Sequence, residues 1–155
     1  KVLIWDETAF IPCTPAWIME ILKHENINVE WKTVCVIWRS NIVWKPIISL
    51  LINAWATVLA CNSKTKNIEK FTTQSEIVIV AAWSPWLLKV NMLKVWAIVI
   101  DVWFTIINEK IYWDADTKLI DLVWGKVTPV PGWVWALTVA CLMKNTIKAY
   151  KLQNK

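Results

Sequence analysis

Glycine is almost absent. The chain has two glycines in 155 residues, where a chain of this length ordinarily carries roughly 11. Histidine is scarcer still, with His24 alone. No two of Cys13, Cys35, Cys61 and Cys141 form a C-x-x-C pair. Structural zinc needs clustered ligands at short spacing. We therefore expect no metal and read the cysteines as buried free thiols of a reducing compartment. His24 lies between Lys23 and Glu25 and is given a surface role. Long apolar runs are missing too. The stretch from Ile47 to Ile52, with Ser49 inside it, falls well short of the ~20 residues that cross a bilayer. No basic-then-apolar leader opens the chain, so the expectation is a soluble, cytoplasmic protein with no membrane partner. The chain starts at Lys1 and not at methionine, which suggests a fragment or a processed product.

What is present in excess is tryptophan, with 14 copies. Apolar residues make up 57%, enough for a substantial core. The length suits one domain, or one domain and a piece of another. Net charge is +5. The lysines are scattered apart from Lys144, Lys148, Lys151 and Lys155. No compact basic stripe interleaved with aromatics occurs, so a solvated helix face is expected there and no nucleic-acid partner. A modest positive balance also suits an anionic cofactor or substrate.

Apolar segments alternate between two periods. After Pro15, the spacing of Ile18, Ile21 and Leu22 predicts an amphipathic helix, capped by Thr14 with Pro15 in its first turn. Thr33 to Ile37 is a short β-branched run that predicts a buried strand. A helix is expected from Pro46 to about Asn53, a strand over Thr57–Cys61 and a helix or turn over Lys66–Thr73. Strands follow at Glu76–Ala82 and Ala97–Val102, then polar hairpin-like pieces from Asn108 to Asp116. A last helix runs from about Trp135 to Leu152, with Leu137, Ala140, Cys141, Met143 and Ile147 as its buried positions. This alternation predicts an α/β fold, a doubly wound, Rossmann-like, mostly parallel sheet with helices on both faces. Its ligand belongs at the carboxyl ends of the strands, by the switch point.

Two turns lie at those ends. The first, Trp38 to Pro46, is where dinucleotide folds use glycine, because the backbone bends sharply and approaches the pyrophosphate. Tryptophan stands there instead, and this segment alone makes a weak phosphate site. The second turn is Asn62-Ser63-Lys64-Thr65. An acidic residue there favours a free ribose 2′-hydroxyl, while basic and hydroxyl groups favour a 2′-phosphate. Ser63 and Lys64, with Arg39 nearby, favour NADP over NAD; a plain polar turn explains the residues equally well. Asp101, closing the fourth strand, is read as an acceptor of loop N–H bonds.

Taken together, these segments resemble the methylenetetrahydrofolate dehydrogenase/cyclohydrolase family. Phe10 to Pro15 is similar to its P-C-T-P motif, and Trp38 to Pro46 to G-R-S-x-x-V-G-x-P. Cys61 to Thr65 resembles C-H-S-K-T, with Asn62 for histidine. Ile79 to Trp86 resembles I-V-A-x-G-x-P-G, and Ala97 to Trp103 resembles A-x-V-I-D-V-G. Thr128 to Trp135 resembles T-P-V-P-G-G-V-G, although Ala136-Leu137 follows where the family has Pro-Met. The match spans nearly the whole chain in the family's order.

The resemblance implies oxidation of 5,10-methylenetetrahydrofolate by hydride transfer to NADP, with NAD the lesser alternative. Hydrolysis of the methenyl product to 10-formyltetrahydrofolate follows. It places Trp38, Arg39 and Ser40 at the pyrophosphate and 2′-phosphate, and Ser63 at the adenosine side. Phe104, where the family usually has isoleucine, falls at the nicotinamide end. Pro131, Gly132, Trp133 and Val134 face the folate substrate. It further implies a homodimer and three regions: 1–30, a remnant and linker helix of an N-terminal catalytic domain; 31–134, the NAD(P)-binding domain; and 135–155, a C-terminal helix packing back toward the catalytic domain. The family's catalytic tyrosine and lysine belong to an N-terminal segment that nothing here matches. No catalytic residue is therefore assigned, Tyr112 and Tyr150 are given surface or packing roles, and the chain is expected to be inactive alone.

Thirteen of the tryptophans fall on family glycine positions, and Trp124 adjoins Gly125. None is expected at a core position of a strand. Random mutation would not choose one replacement at so many turns. A gene whose UGA codons mean glycine, read as though they meant tryptophan, would give this pattern. If the tryptophans are real, poor folding and failed cofactor binding are expected. Two rival readings remain: a non-enzymatic, tryptophan-rich binding module that stacks on sugars or bases, and a degenerate structural relative. A stacking module needs its aromatics on one face, whereas these are expected in turns on all sides.

Overall fold

A computed structural model describes residues 6, 8–38, 41–116, 126–127 and 133–154, with backbone alone for 41–43, 126–127 and 133–136. Helix α1 (Cys13–His24) leads into strand β1 (Thr33–Trp38), helix α2 (Asn41–Asn53) and strand β2 (Thr57–Cys61). A single helical turn, α3 (Glu69–Thr72), precedes β3 (Ile77–Ala81). A 3-10 turn (Val90–Met92) precedes β4 (Ile98–Asp101). The hairpin strands β5 (Phe104–Ile107) and β6 (Lys110–Trp113), a short β7 (Lys126–Val127) and the long α4 (Trp133–Gln153) complete the order.

Five parallel strands form one sheet in the order β2-β1-β3-β4-β7. The chain moves one way from β1 to β2 and the other way from β3 onward. The switch point therefore lies between β1 and β3, the doubly wound pattern expected. Alternation along the strands sorts the core into two layers. Val34, Val36 and Trp38 of β1 face Trp17, Ile18 and Leu22 of α1 and Ile47 and Leu51 of α2. Cys35 and Ile37 face the other way, with Cys61, Val78, Val80 and Leu88, and Phe71 of α3 packs there.

Several boundaries differ from expectation. Helix α1 starts at Cys13 with Pro12 at its cap position and no side-chain cap bond, so Thr14 lies inside the first turn and caps nothing. Pro15 still fits there, because first-turn N–H groups have no intrahelical acceptor. Helix α2 begins five residues before Pro46 and carries that proline inside it. The reason is its apolar stripe: Trp44, Ile47, Ile48 and Leu51 follow helical spacing onto the sheet.

In α4, Cys141 is buried, but Ala140, Met143 and Ile147 are exposed and Leu137 is half-buried. Among the described residues, Leu137 and Cys141 pack against the core that includes α1, and Asn145 donates to the Ile11 carbonyl at 2.8 Å. Lys144 pairs with Glu20 at 2.6 Å. Lys148 donates to the Ala9 carbonyl at 2.7 Å and lies over the Phe10 ring. These two lysines thus bind α4 to the start of the chain and do not form a purely solvated face.

Tryptophan also enters the core, against expectation. Trp38 ends β1 fully enclosed, and Trp17 sits at the centre of the α1 contact. The indole N–H groups of Trp17, Trp38 and Trp44 are buried without a hydrogen-bond partner, a costly state for a donor.

The turns are equally unusual. Helix α1 ends in a Schellman motif: Asn26 donates to Lys23 and Ile27 to Leu22, with Asn26 at φ 55°. Asparagine tolerates that conformation. Helix α2 ends in the same motif, with Trp55 donating to Ile52 and Ala56 to Leu51. Its left-handed residue is Trp55, at φ 62°. Relieving that conformation with Trp55→Gly is expected to stabilise the fold by about 1–2 kcal/mol, and Trp55→Ala to give none of that gain. Thermal melts check this; a lower Tm for the glycine variant would contradict it.

Candidate functional site

The register brings the carboxyl ends of four strands to one edge. Ile37 aligns with Cys61, Trp38 with Ala81 and Val80 with Asp101. The described turns that leave β2, β3 and β4 therefore lie along one edge of the sheet, beside the switch point between β1 and β3.

At β2, the turn is locked by its own side chains. The Lys64 N–H donates to Asn62 Oδ1 at 2.9 Å, and the Asn62 N–H donates to Thr65 Oγ1 at 2.9 Å. This leaves Ser63 and Lys64 exposed to solvent. Asn62, the departure from the family's histidine, forms a self-contained Asx turn here.

At β3, the exit is held by a carboxylate that sequence reasoning passed over. Asp114 is fully buried. Its Oδ2 accepts the N–H groups of Ala82 at 2.6 Å and Trp83 at 2.9 Å. Its Oδ1 accepts the Ser84 N–H at 2.7 Å. Three successive N–H groups are thus gathered onto one side chain. The only sequence signal for this role is an acid directly after a strand. The turn continues as Ser84-Pro85-Trp86-Leu87, closed by Leu87 donating to Ser84, with Trp86 at φ 55°. Proline followed by a left-handed residue is the type II pattern.

At β4, Asp101 does accept loop N–H groups, as expected: Ala115 at 2.8 Å and Trp103 at 3.3 Å. Burial pushes its carboxyl up to about 8, opposed by the Ala115 bond and reinforced by the neighbouring Asp114 charge. Burial also raises Asp114, against the pull of its three N–H donors.

Aromatic rings collect on the same edge. Trp83 stacks on Trp103 at 5.1 Å and 6°. Trp103 stacks on Phe104 at 6.1 Å, and Phe104 meets Trp113 edge-on at 5.5 Å. The half-buried Phe104 is thus brought to the same edge. Among the described residues, Trp31, Trp55 and Trp96 stand instead at the strand entrances, so the exposed rings do not share one face. Of the remaining site residues, Trp38 lies at the end of β1 with its indole in the α1–α2 layer. Arg39, Ser40, Pro131 and Gly132 lie outside the described residues. Trp133 and Val134 open α4, their side chains outside the described set. The cysteines are free thiols, with Cys35 Sγ 3.8 Å from Cys61 Sγ and the Cys35 thiol pushed up by burial. Among the described residues no group of three His, Cys, Asp or Glu could hold a metal, and no helix is long and apolar enough to cross a membrane.

The switch-point crevice and the strand order define the class, a Rossmann-like doubly wound domain. Residues 12–154 match the model of the tetrahydrofolate dehydrogenase/cyclohydrolase NAD(P)-binding domain, and the chain belongs to that family. The bifunctional protein FolD of Campylobacter hominis is 46% identical over 143 residues, 92% of this chain and 50% of that protein. That of Acetivibrio thermocellus is 42% identical over 147 residues, 94% of this chain and 52% of its own. The crystal structure of FolD from Campylobacter jejuni superposes with a TM-score of 0.93 at 38% identity, covering 98% of this chain and 54% of that one. The Trypanosoma brucei enzyme, solved with NADP cofactor and an inhibitor, gives a TM-score of 0.88 at 30% identity, covering 99% and 54%. The chain spans about half the length of the relatives it matches.

Two consequences are measurable. Asp114→Ala strands three N–H donors and is expected to cost on the order of 3 kcal/mol in chemical denaturation; a change near zero would remove Asp114 as the clamp of this turn. For Asp101, the folded value lies above the ordinary 3.8, so folding takes up a proton between the two values. Its contribution to stability is full below 3.8 and is lost as pH rises toward about 8. Asp101→Asn should remove that decline from a pH series of melts. Identical pH slopes in both proteins would contradict the assignment.

Proposed function

We propose that this chain is the cofactor-binding part of a bifunctional folate enzyme. The complete protein would oxidise 5,10-methylenetetrahydrofolate with NADP and hydrolyse 5,10-methenyltetrahydrofolate to 10-formyltetrahydrofolate. The observation that carries the reading is the match of residues 12–154 to the family's NAD(P)-binding domain, together with the crevice at the carboxyl ends of β1 and β3.

The cofactor would fit one part of the site and not another. The β2 turn suits a 2′-phosphate: Ser63 and Lys64 are exposed and residues 62–65 contain no carboxylate, which supports NADP over NAD. Arg39 and Ser40 would join them at the phosphates, and Pro131, Gly132, Trp133 and Val134 would face the folate. The backbone at β1 and β3 suits the pyrophosphate and nicotinamide, but the side chains do not. Trp38 and Trp44 occupy the layer between β1 and α2, where such folds use glycine for close packing. The stacked Trp83 and Trp103 rings fill the edge beside Phe104.

Region 31–134 would form the cofactor domain. Residues 1–30 and 135–155 would join it to the catalytic half, which carries the tyrosine and lysine. Support comes from α4, whose Leu142, Met143 and Ile147 stand exposed on the side away from α1. A homodimer would find an apolar patch on the hairpin, where Ile106, Ile107 and Ile111 are exposed. The protein would work in the cytoplasm. The aromatic cluster at Trp83, Trp103 and Trp113 is the one feature favouring a stacking module instead.

An assay of the complete protein tests the reading. It should reduce NADP+ in the presence of 5,10-methylenetetrahydrofolate, with kcat/KM for NAD+ lower by about tenfold or more, the worth of one good phosphate contact. Lys64→Glu should narrow that gap. No reduction of either cofactor, or a preference for NAD+, would overturn it.

A further inference from the structure

Among the described residues, nine other than glycine have positive φ, and five of them are Trp31, Trp55, Trp83, Trp86 and Trp96. The other four are Asn26, Asn67, Asn108 and Glu109. Asparagine is the ordinary substitute for glycine in a left-handed position, and Asn108–Glu109 form the hairpin turn between β5 and β6. Tryptophan is bulky and is a genuine outlier there.

The positions are those that demand glycine on structural grounds. Trp55 is the left-handed residue of a complete Schellman motif. Trp31, Trp86 and Trp96 each stand third in a four-residue turn: Lys32 donates to Val29, Leu87 to Ser84 and Ala97 to Lys94. With φ of 64°, 55° and 65° respectively, each is the place that a type II turn gives to glycine. Trp83, at φ 59°, lies in the tight row of N–H groups clamped by Asp114. All five side chains are more than half exposed. A second, independent sign comes from the interior, where the three buried indoles of Trp17, Trp38 and Trp44 leave their N–H groups unbonded.

We propose that the polypeptide made in the source cell carries glycine at Trp31, Trp55, Trp83, Trp86 and Trp96, and by the same rule at the other tryptophans, because the gene specifies them with UGA codons that this organism decodes as glycine. One codon reassigned uniformly explains why a single residue type occupies caps, type II turns and close-packed helix–sheet positions alike. It also explains why ordinary glycine is nearly absent. The consequence for the crevice rests on the cofactor reading given above. Without indoles at 38, 44, 83 and 103, the layer between β1 and α2 closes and the edge beside Phe104 opens to a dinucleotide.

Peptide mass spectrometry of the protein isolated from its source cells, paired with NADP+ titration of the same material, tests this. Each peptide covering the five positions should be lighter by one indolylmethylene group per site than the tryptophan-containing sequence. Tryptophan at any of the five would overturn the proposal. The titration separates the two ideas: glycine peptides with no NADP+ binding would leave the decoding intact and remove the cofactor reading, while tryptophan peptides with binding would do the reverse. A recombinant pair with rewritten codons adds a folding readout. The glycine form should melt at the higher temperature, and equal or inverted melting would count against the proposal.

Discussion

Three of the parallel strands are entered, and a fourth is left, through a residue whose backbone is left-handed. Trp31, Trp55 and Trp96 precede β1, β2 and β4, and Trp83 and Trp86 follow β3. A doubly wound sheet needs such reversals, because each helix or loop must turn tightly back onto the next strand. A residue with a β-carbon pays about 1–2 kcal/mol for that conformation. Five sites sum to roughly 5–10 kcal/mol, set against a net domain stability of about 5–15 kcal/mol. The fold is thus specified by its apolar strands and opposed by the side chains at its turns.

The carboxyl edge shows the same conflict at closer range. Asp114 gathers three N–H groups and Asp101 takes two more, so the loops after β3 and β4 are fixed by buried carboxylates. That is the scaffold of a ligand crevice whose turns are set before anything enters. The indoles of Trp83 and Trp103, stacked across it, belong to no such scaffold.

Much of this was legible in the sequence. Runs such as Val34–Ile37 and Ile77–Val80 are buried on both faces, and a continuous β-branched run announces a central parallel strand. The family motifs located the exits of β1, β2, β3 and β4. Helix α2 was misplaced because Pro46 looks like a helix start, whereas the stripe through Trp44 carries the helix further back. Exposure along α4 was misjudged because one amphipathic stripe cannot tell which of its sides has a neighbour. Asp114 escaped because its role depends on the turn that pairs residues 82–88 with 113–116, a contact without local signature. The Asp101 role was readable because a carboxylate closing a strand has few alternatives to loop N–H groups.

A crystal structure of the source-cell protein grown with NADP+ examines both the backbone and its occupant. The account predicts bare α-carbons at positions 31, 55, 83, 86 and 96, the pyrophosphate at the start of α2 and the 2′-phosphate by Ser63 and Lys64. Indole density at those five positions, with the Trp83–Trp103 stack closing an empty edge, would contradict it.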